Sequence, residues 1–587
     1  MRGRRRRRVV AAVSLAPVAA LVLGGGWSVH LGLGVRDHLQ ATRDALVHLR
    51  AVMSARDLDR MSVTLATARR HAAEARRLTS GLDWSLITHL PFVGDGATTV
   101  RGLAETAAEI TDVLARVQGT GTSFLAAGAG SADDMRQLLD GLRAAAPVLD
   151  DAAARLARVR TRLVSTPART GEASLDKARG TALYELDRLR GWIGGAATAA
   201  ALIPPMLGND GPRRYFLAFQ TNAEARGTGG LVGAFGILSA DHGRIAVKRL
   251  AANTGLDGSP RPVADHGPAF RARYGAGAVE LLSVSNLSPH FPYAAKTWTA
   301  LWERQTRQRL DGAIALDPVG LSYLLGLIGP VTLPGGEKVT ATNVVDLTER
   351  AAYARYTDPA ARKGYLVRIA KAVSEALPRS FDDPSRVLPV LKPMVEERRI
   401  QMWSRHDAEQ RRLSSTALGG VLPRRPGPYA GLVVNNSAGG KLDYYLNRSL
   451  DYELGPCQAG RRSTTVRVRL TNDVPRGPLP SYVTDRLDAP PRPRPVGSNL
   501  LWVSLYAGVG AEIRAVSVDG DRVSVIREVE RSHPVYSTLL ELDPRQSRTL
   551  RFDLVEPASA EPPVVPVQPL VRPQYTRITP DARGCVR

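Results

Sequence analysis

Cysteine is nearly absent from this chain: two residues, Cys457 and Cys585, in a length of 587. No C-x-x-C occurs, so zinc ribbons and dithiol redox motifs are excluded. The ten histidines are scattered, with His30 and His38 the nearest pair. No H-E-x-x-H or comparable metal pairing therefore exists. Aromatic residues make up only 5% of the chain, and no basic stripe is interleaved with them. A nucleic-acid partner is accordingly not expected despite a net charge of +23. Arginine far outnumbers lysine while Ala, Gly and Pro abound, a pattern of genome-wide coding bias. A basic surface of this kind is better matched to anionic lipid or an anionic wall polymer. Long apolar runs are also missing beyond Val35, since later ones are broken by Arg, Asp or Pro.

What is present begins at the N-terminus. Six of the first eight residues are arginine, and residues 9–35 carry no formal charge. A helix of that length spans roughly 40 Å, enough to cross a bilayer with some tilt. The sequence thus predicts a cytoplasmic basic tail (1–8), a transmembrane anchor (9–35) and an extracytoplasmic remainder, oriented by the arginines. The alternative is a cleaved signal peptide, because Gly24, Gly25 and Gly26 follow an Ala/Val/Leu run. That run exceeds a typical signal h-region, and no clean cleavage site precedes Trp27. Either way the bulk is exported, which argues against a cytosolic nucleotide enzyme, a transcription factor or a transporter. Export permits a Cys457–Cys585 disulfide closing a loop of about 130 residues, worth up to ~5 kcal/mol in the chain-entropy model. Two unpaired thiols are the alternative.

Along the chain, three organisational regimes follow one another. Residues 36–203 read as a helical bundle or stalk. Leu39, Thr42, Leu46, Leu49 and Met53 form a heptad seam, and Leu103, Ala107, Ile110, Leu114 and Val117 a second stripe. Leu149, Ala152, Leu156, Val159 and Leu163 form a third. Breaks fall near Leu90-Pro91, across 119–131 and at 165–171, and Pro204-Pro205 closes the region. Residues 205–400 alternate strand and helix patterns and predict a central α/β domain. Its strand candidates are Tyr215–Phe219, Gly236–Ala240, Arg244–Lys248 and Leu310–Leu316. Its helix candidates are Pro318–Ile328, Val344–Arg355 and Lys363–Leu377. Residues 401–428 read as a charged, Pro-rich linker. Residues 429–587, with strict alternation at Thr464–Leu470, predict a β-sandwich.

Catalytic motifs are few. Gly227-Thr228-Gly229-Gly230 lacks dinucleotide spacing and a Walker lysine. Ser174-Leu-Asp-Lys177 matches S-x-x-K without its companion motifs and lies between helices, so it reads as coincidence. The densest run is Asn222-Ala-Glu224-Ala-Arg226-Gly227-Thr228-Gly229-Gly230. An arginine beside such glycines suits a phosphate, and the plain alternative is a β-bulge or tight turn with a solvated or paired arginine. Asp257 and Asp265 offer a weak metal site, though loop aspartates are more often turn-formers. Asn286 and Ser288 are expected to cap the helix after Pro289, and Asp317-Pro318 reads as an N-cap with Pro at N1.

The runs around Arg226, Asn286-Leu-Ser-Pro-His290-Phe-Pro and Asp311-Gly-Ala-Ile-Ala-Leu-Asp317-Pro resemble the bacterial envelope family called domain of unknown function 4012. Trp84…Leu90-Pro91-Phe-Val-Gly94-Asp95 and Lys441-Leu-Asp-Tyr-Tyr extend that resemblance over most of the chain. His290 departs from it, where an acidic residue is expected. More distantly, the order of elements from Arg226 to Leu377 is similar to the LytR-CpsA-Psr phosphotransferases, which move glycopolymers from a polyprenyl-pyrophosphate carrier to the wall. The Arg226-x-Thr228 loop, Lys248-Arg249, the Leu324–Val331 turn and Arg355…Asp358…Arg362 carry that similarity. It implies phosphate contacts from Arg226, Arg249, Arg355 and Arg362, with Thr228, Gly229 and Gly230 in the loop. Gly227 stands where that family has an acid and Tyr365 where it has an arginine, which weakens any Mg²⁺ site. The resulting expectation is a wall-facing envelope protein that binds a polyprenyl-phosphate-linked or other anionic precursor. Its alternatives are a non-catalytic assembly protein and an active, Mg²⁺-dependent phosphotransferase.

Overall fold

The computed structural model describes residues 30–55, 58–125, 132–377 and 384–579. Two compact units emerge: Met1–Pro212 with Asp241–Gly243, and Arg213–Ala240 with Arg244–Arg587.

The first unit is a bundle of helices, α1 (His30–Ala55), α2 (Leu58–Ser80), α3 (Leu82–Ile87), α4 (Gly94–Leu125), α5 (Ala132–Val164) and α6 (Ala173–Met206). The apolar stripes read from the sequence supply its core. Leu39, Leu46, Leu49, Leu103, Ala107, Ile110, Ala152, Leu156, Val159 and Leu163 are all buried in one cluster. A heptad-like spacing keeps these side chains on one face of each helix, and burying that face drives the association. Pro204 and Pro205 lie inside the last turn of α6, which ends one residue after them, at Met206, rather than before them.

The expected transmembrane helix over 9–35 must be corrected. Among the described residues, no helix is long and apolar enough to cross a membrane. Residues 9–29 lie outside the described residues. From His30 onward the stretch belongs to α1. Val35 is buried in the bundle core, and the space beside Gly34 is filled by Leu78 of α2. An apolar residue committed to a helix–helix core is unavailable to lipid.

The second unit opens with β1 (Arg213–Arg226), β2 (Gly229–Asp241) and β3 (Arg244–Ala252), followed by α7 (Pro268–Tyr274) and α8 (Phe291–Thr306). Then come β4 (Gly312–Leu316), α9 (Pro318–Ile328) and a short hairpin, β5 (Val331–Thr332) and β6 (Lys338–Val339). Helices α10 (Val344–Asp346) and α11 (Ala352–Arg355) flank a π-turn over Leu347–Ala351. Next are α12 (Pro359–Ala376), α13 (Pro384–Glu396), β7 (Ile400–Ser404) and α14 (Asp407–Leu413). The sheet order is β3-β2-β1-β4-β7, with β1 and β4 parallel. Alternation along β1 explains the layering. Phe216 and Ala218 face α8 with Trp298 and Trp302, while Phe219 faces the cluster built by α9, α12 and α13. Strand β7, inside the stretch expected as linker, completes this sheet against β4. Its five residues are too few to stand out among the flanking charges.

Two further sheets share one core. The larger has the order β13-β12-β16-β10-β9-β17 and the smaller β14-β15-β11-β8. Their strands are β8 (Ala430–Asn436), β9 (Leu446–Gln458), β10 (Arg461–Asn472), β11 (Asn499–Ala507), β12 (Glu512–Val518) and β13 (Asp521–Arg522). The rest are β14 (Ile526–Glu530), β15 (His533–Leu542), β16 (Ser547–Pro557) and β17 (Gln574–Thr579). A one-turn helix, α15 (Ser481–Thr484), rides on the long connection between β10 and β11. Inward residues of both sheets, among them Leu432, Val434, Val503, Tyr452, Val466 and Phe552, fill the space between them. Ala225 of β1 belongs to the same core, so the central sheet penetrates the sandwich. Cys457, near the end of β9, is disulfide-bonded. Cys585, its expected partner, lies outside the described residues.

Candidate functional site

The glycine-rich motif folds as a wide irregularity at the end of β1. Pairing with β2 jumps from Thr221↔Leu231 to Ala225↔Gly230, leaving Asn222, Ala223 and Glu224 outside the ladder. Buried backbone N–H groups released in this way need acceptors. Glu349, on the π-turn, accepts from Asn222 N at 3.2 Å and Ala223 N at 2.6 Å. Asp443 accepts from Ala225 N at 2.8 Å, and also from the amides of Asn499 and Asn436. The glycines permit close approach: a Cβ on Gly230 would stand 2.1 Å from Thr221 O, and one on Gly227 2.2 Å from Leu287 O. Thr228, fully buried, holds the loop by hydrogen bonds from Gln220 Nε2 and Asn286 Nδ2.

The charges of the bulge are spent internally. Arg226 donates to Glu224 Oε1 at 2.8 Å and to the carbonyls of Ser283 and Ala225. Lys441 takes the other oxygen of Glu224. Asp317 caps α9 through Gly320 N at 2.7 Å and pairs with Arg399 at 2.9 Å. Burial dominates the titration of these acids. It raises Asp317 and Asp443 above the usual carboxylate range and pushes Glu349 up to about 8, against the opposing pull of its two N–H donors. The arrangement is a clamp: three loops bring carboxylates onto one strand end that lacks its ladder partners.

The four arginines expected to share a site divide. Arg226 and Arg362 are brought near one another through intermediaries, Glu224, Lys441 and Tyr482. Arg362, only 2% exposed, lies 3.6 Å from the Tyr482 ring centroid, and Lys441 Nζ lies 5.3 Å from the same ring. Its Nη1 donates to Tyr356 O, and its Nη2 has no hydrogen-bond partner. Arg355 pairs instead with Glu337 at 2.7 Å, and Arg249 of β3 rests over Trp302 at 5.2 Å. No described contact joins either to Arg226. Asp257 and Asp265 are exposed on separate turns, Asp265 accepting from Gly267 N. Among the described residues no group of three or more His, Cys, Asp or Glu is arranged to hold a metal.

Smaller expectations resolve locally. Neither Asn286 nor Ser288 caps α8, whose N-cap is His290 with no side-chain cap bond; Asn286 instead pins the glycine loop through Thr228 and Gly230 O, and Ser288 accepts from His290 N. His290 accepts from Leu422 N, and burial holds its ring well below the ordinary histidine range, hence neutral. A neutral imidazole does here what a charged acid would do at greater desolvation cost. Glu349, Asp443 and Tyr482 were not singled out from sequence. The one signal was the Lys441-Leu-Asp443 run, noted for its resemblance and given no role.

Comparison with known proteins is sparse. No curated protein matches the chain. A solved structure, a candidate nutrient binding protein from Legionella pneumophila, aligns at 7% identity with a TM-score of 0.15, covering 23% of this chain and 44% of that one. The alignment thus spans less than half of that protein. Residues 210–353 match the family model described as "Protein of unknown function (DUF4012)". This segment runs from β1 through the bulge to Glu349 and Tyr353, and the clamp's remaining members, Lys441 and Asp443, come from beyond it. The likeness to that family rests on these residues, 210–353.

Proposed function

We propose that this chain is a non-catalytic structural or assembly protein acting outside the cytoplasm, in which a phosphotransferase-like centre has become a mechanical joint. One observation carries the reading: the arginines aligned with phosphate-binding motifs, Arg226 and Arg362, are occupied by the protein's own Glu224 and Tyr482. A guanidinium already paired with a buried carboxylate gains little from a phosphate, because the incoming anion must displace that partner and leave it unpaired. Further support comes from the interlocking of the central sheet and the sandwich. Gln568 donates to Arg226 O, Asn222 to Pro569 O and Arg399 to Leu570 O. The disulfide at Cys457 fits an oxidising compartment. The anionic wall or its precursors remain the nearest surroundings for so basic an exported chain.

A second reading, binding of a phosphorylated lipid at the same place, is favoured by the unpartnered Nη2 of Arg362 beneath a Tyr482 that is 39% exposed. Titrating the full chain with a soluble polyprenyl-phosphate analogue, with and without Mg²⁺, separates the two. The scaffold reading expects no saturable binding and no turnover in wild type. Saturable binding that strengthens in Tyr482→Ala and disappears in Arg362→Ala would replace it with the ligand reading.

A further inference from the structure

A second arginine site lies apart from the clamp. Helix α13 ends in a reversal where Arg399 N donates to Met394 O at 2.7 Å and Arg398 adopts φ 59°. This left-handed position is ordinarily glycine's, since a side chain there crowds the backbone. The Arg398 side chain enters a small cleft walled by Gly227, Pro289, Leu422, Tyr429, Tyr506 and Gln568. Among the described contacts its only side-chain hydrogen bond goes to Pro289 O, at 3.4 Å. Among the described residues, no carboxylate forms an ion pair with it. The Tyr429 hydroxyl, on the same wall, makes no hydrogen bond among the described contacts. Gln568 is fully engaged with Val434 and Arg226 O. Glu530, behind Tyr506, is taken by Tyr506, Tyr274 and Ser288. The rim adds charge of the same sign, because Arg531 donates to Leu422 O.

We propose that this cleft binds the oxyanion end of a ligand, a phosphoryl or carboxylate group, between the Arg398 guanidinium and the Tyr429 hydroxyl. Two donors line the cleft, and a half-buried cation without a counter-ion is a costly arrangement unless an anion completes it. Burial lowers the Arg398 pKa, and the Tyr429 phenol opposes that shift from the same wall. A planar guanidinium presents two parallel N–H groups, and the phenol adds a third donor, a set that suits oxyanion geometry. The cleft shares Gly227 and Gln568 with the surroundings of Arg226 but none of that joint's ion pairs.

The test is thermal unfolding of the full chain in phosphate, acetate and chloride at matched ionic strength, with calorimetric titration of inorganic phosphate. Arg398→Gly is the main variant, since glycine suits the backbone there and removes the lone charge. Phosphate or acetate should raise the wild-type melting point along a saturating curve. Which of the two acts identifies a phosphoryl or a carboxylate ligand. Arg398→Gly should melt at or above wild type in chloride and lose the saturating response. Tyr429→Phe should fold normally and bind roughly tenfold more weakly, as expected for one lost hydrogen bond to a charged group. The same response in Arg398→Gly as in wild type would mark a general salt effect and overturn the proposal, as would no saturable response to either anion. Should Arg398→Gly fail to fold, unaltered phosphate affinity in Tyr429→Phe would overturn it alone.

Discussion

Removing the Glu349 carboxylate tests the clamp directly. It is 1% exposed and accepts the N–H groups of Asn222 and Ala223, which have no ladder partner. Glu349→Ala orphans both donors at about 1–3 kcal/mol each, so a loss of about 2–6 kcal/mol is expected before any repacking. Glu349→Gln keeps one acceptor and turns an NH₂ toward the other donor, which predicts about 1–3 kcal/mol. The pH dependence has a definite sign. Burial raises the folded pKa to about 8, above the ordinary glutamate value, so the folded chain holds this proton more tightly than the unfolded chain. Its contribution to stability is therefore fully present below the unfolded pKa and is lost as pH rises through about 8. Between those limits the slope approaches about 1.4 kcal/mol per pH unit. Glu349→Gln, which does not titrate, should flatten that slope. Hydrogen exchange at the Asn222 and Ala223 amides, followed with urea midpoints from pH 5 to 9, reads both effects. Unchanged protection of these amides in Glu349→Ala would refute the reasoning. So would a wild-type stability that rises between pH 6 and 8 while the glutamine variant stays level.

Other consequences are simpler. Gly230→Ala forces a Cβ to within 2.1 Å of Thr221 O, against backbone that cannot swing away, so the variant should express poorly or melt far below wild type. Asp317→Ala removes the cap of α9 and leaves buried Arg399 with only the partly exposed Glu397 as counter-ion, with an expected loss of about 3 kcal/mol by chemical denaturation. Phe92→Ser alters a side chain that is 99% exposed, so urea stability should stay within about 0.5 kcal/mol of wild type while light scattering at high concentration falls.

The arginine motif shows why one-dimensional resemblance runs ahead of chemistry. Arg226 follows Glu224 by two residues, and on a regular strand those side chains would share a face. The plain alternative to a phosphate site, a bulge or tight turn with a solvated or paired arginine, included this outcome, and the structure contains the pair. The partner that completes it, Lys441, comes from the other side of the sandwich boundary. Tyr482 reaches Arg362 from a Pro-rich connection that gives no periodic signal. Asp317-Pro318, by contrast, is readable without any tertiary knowledge, because an N-cap and its helix are neighbours in sequence.

Local periodicity by itself determined the helical face of Leu39, Leu46 and Leu49, the alternation of Thr464–Leu470 and the turns between them. These follow from the 3.6- and 2-residue repeats of the backbone. Tertiary structure alone decided that Val35 faces a protein core, that Glu349 meets Asn222 across 127 residues, and that Asp443 meets Ala225 across 218. The reason is physical. A buried N–H donates to whichever acceptor the fold delivers, and delivery depends on how whole sheets pack, a property that no short stretch of chain encodes.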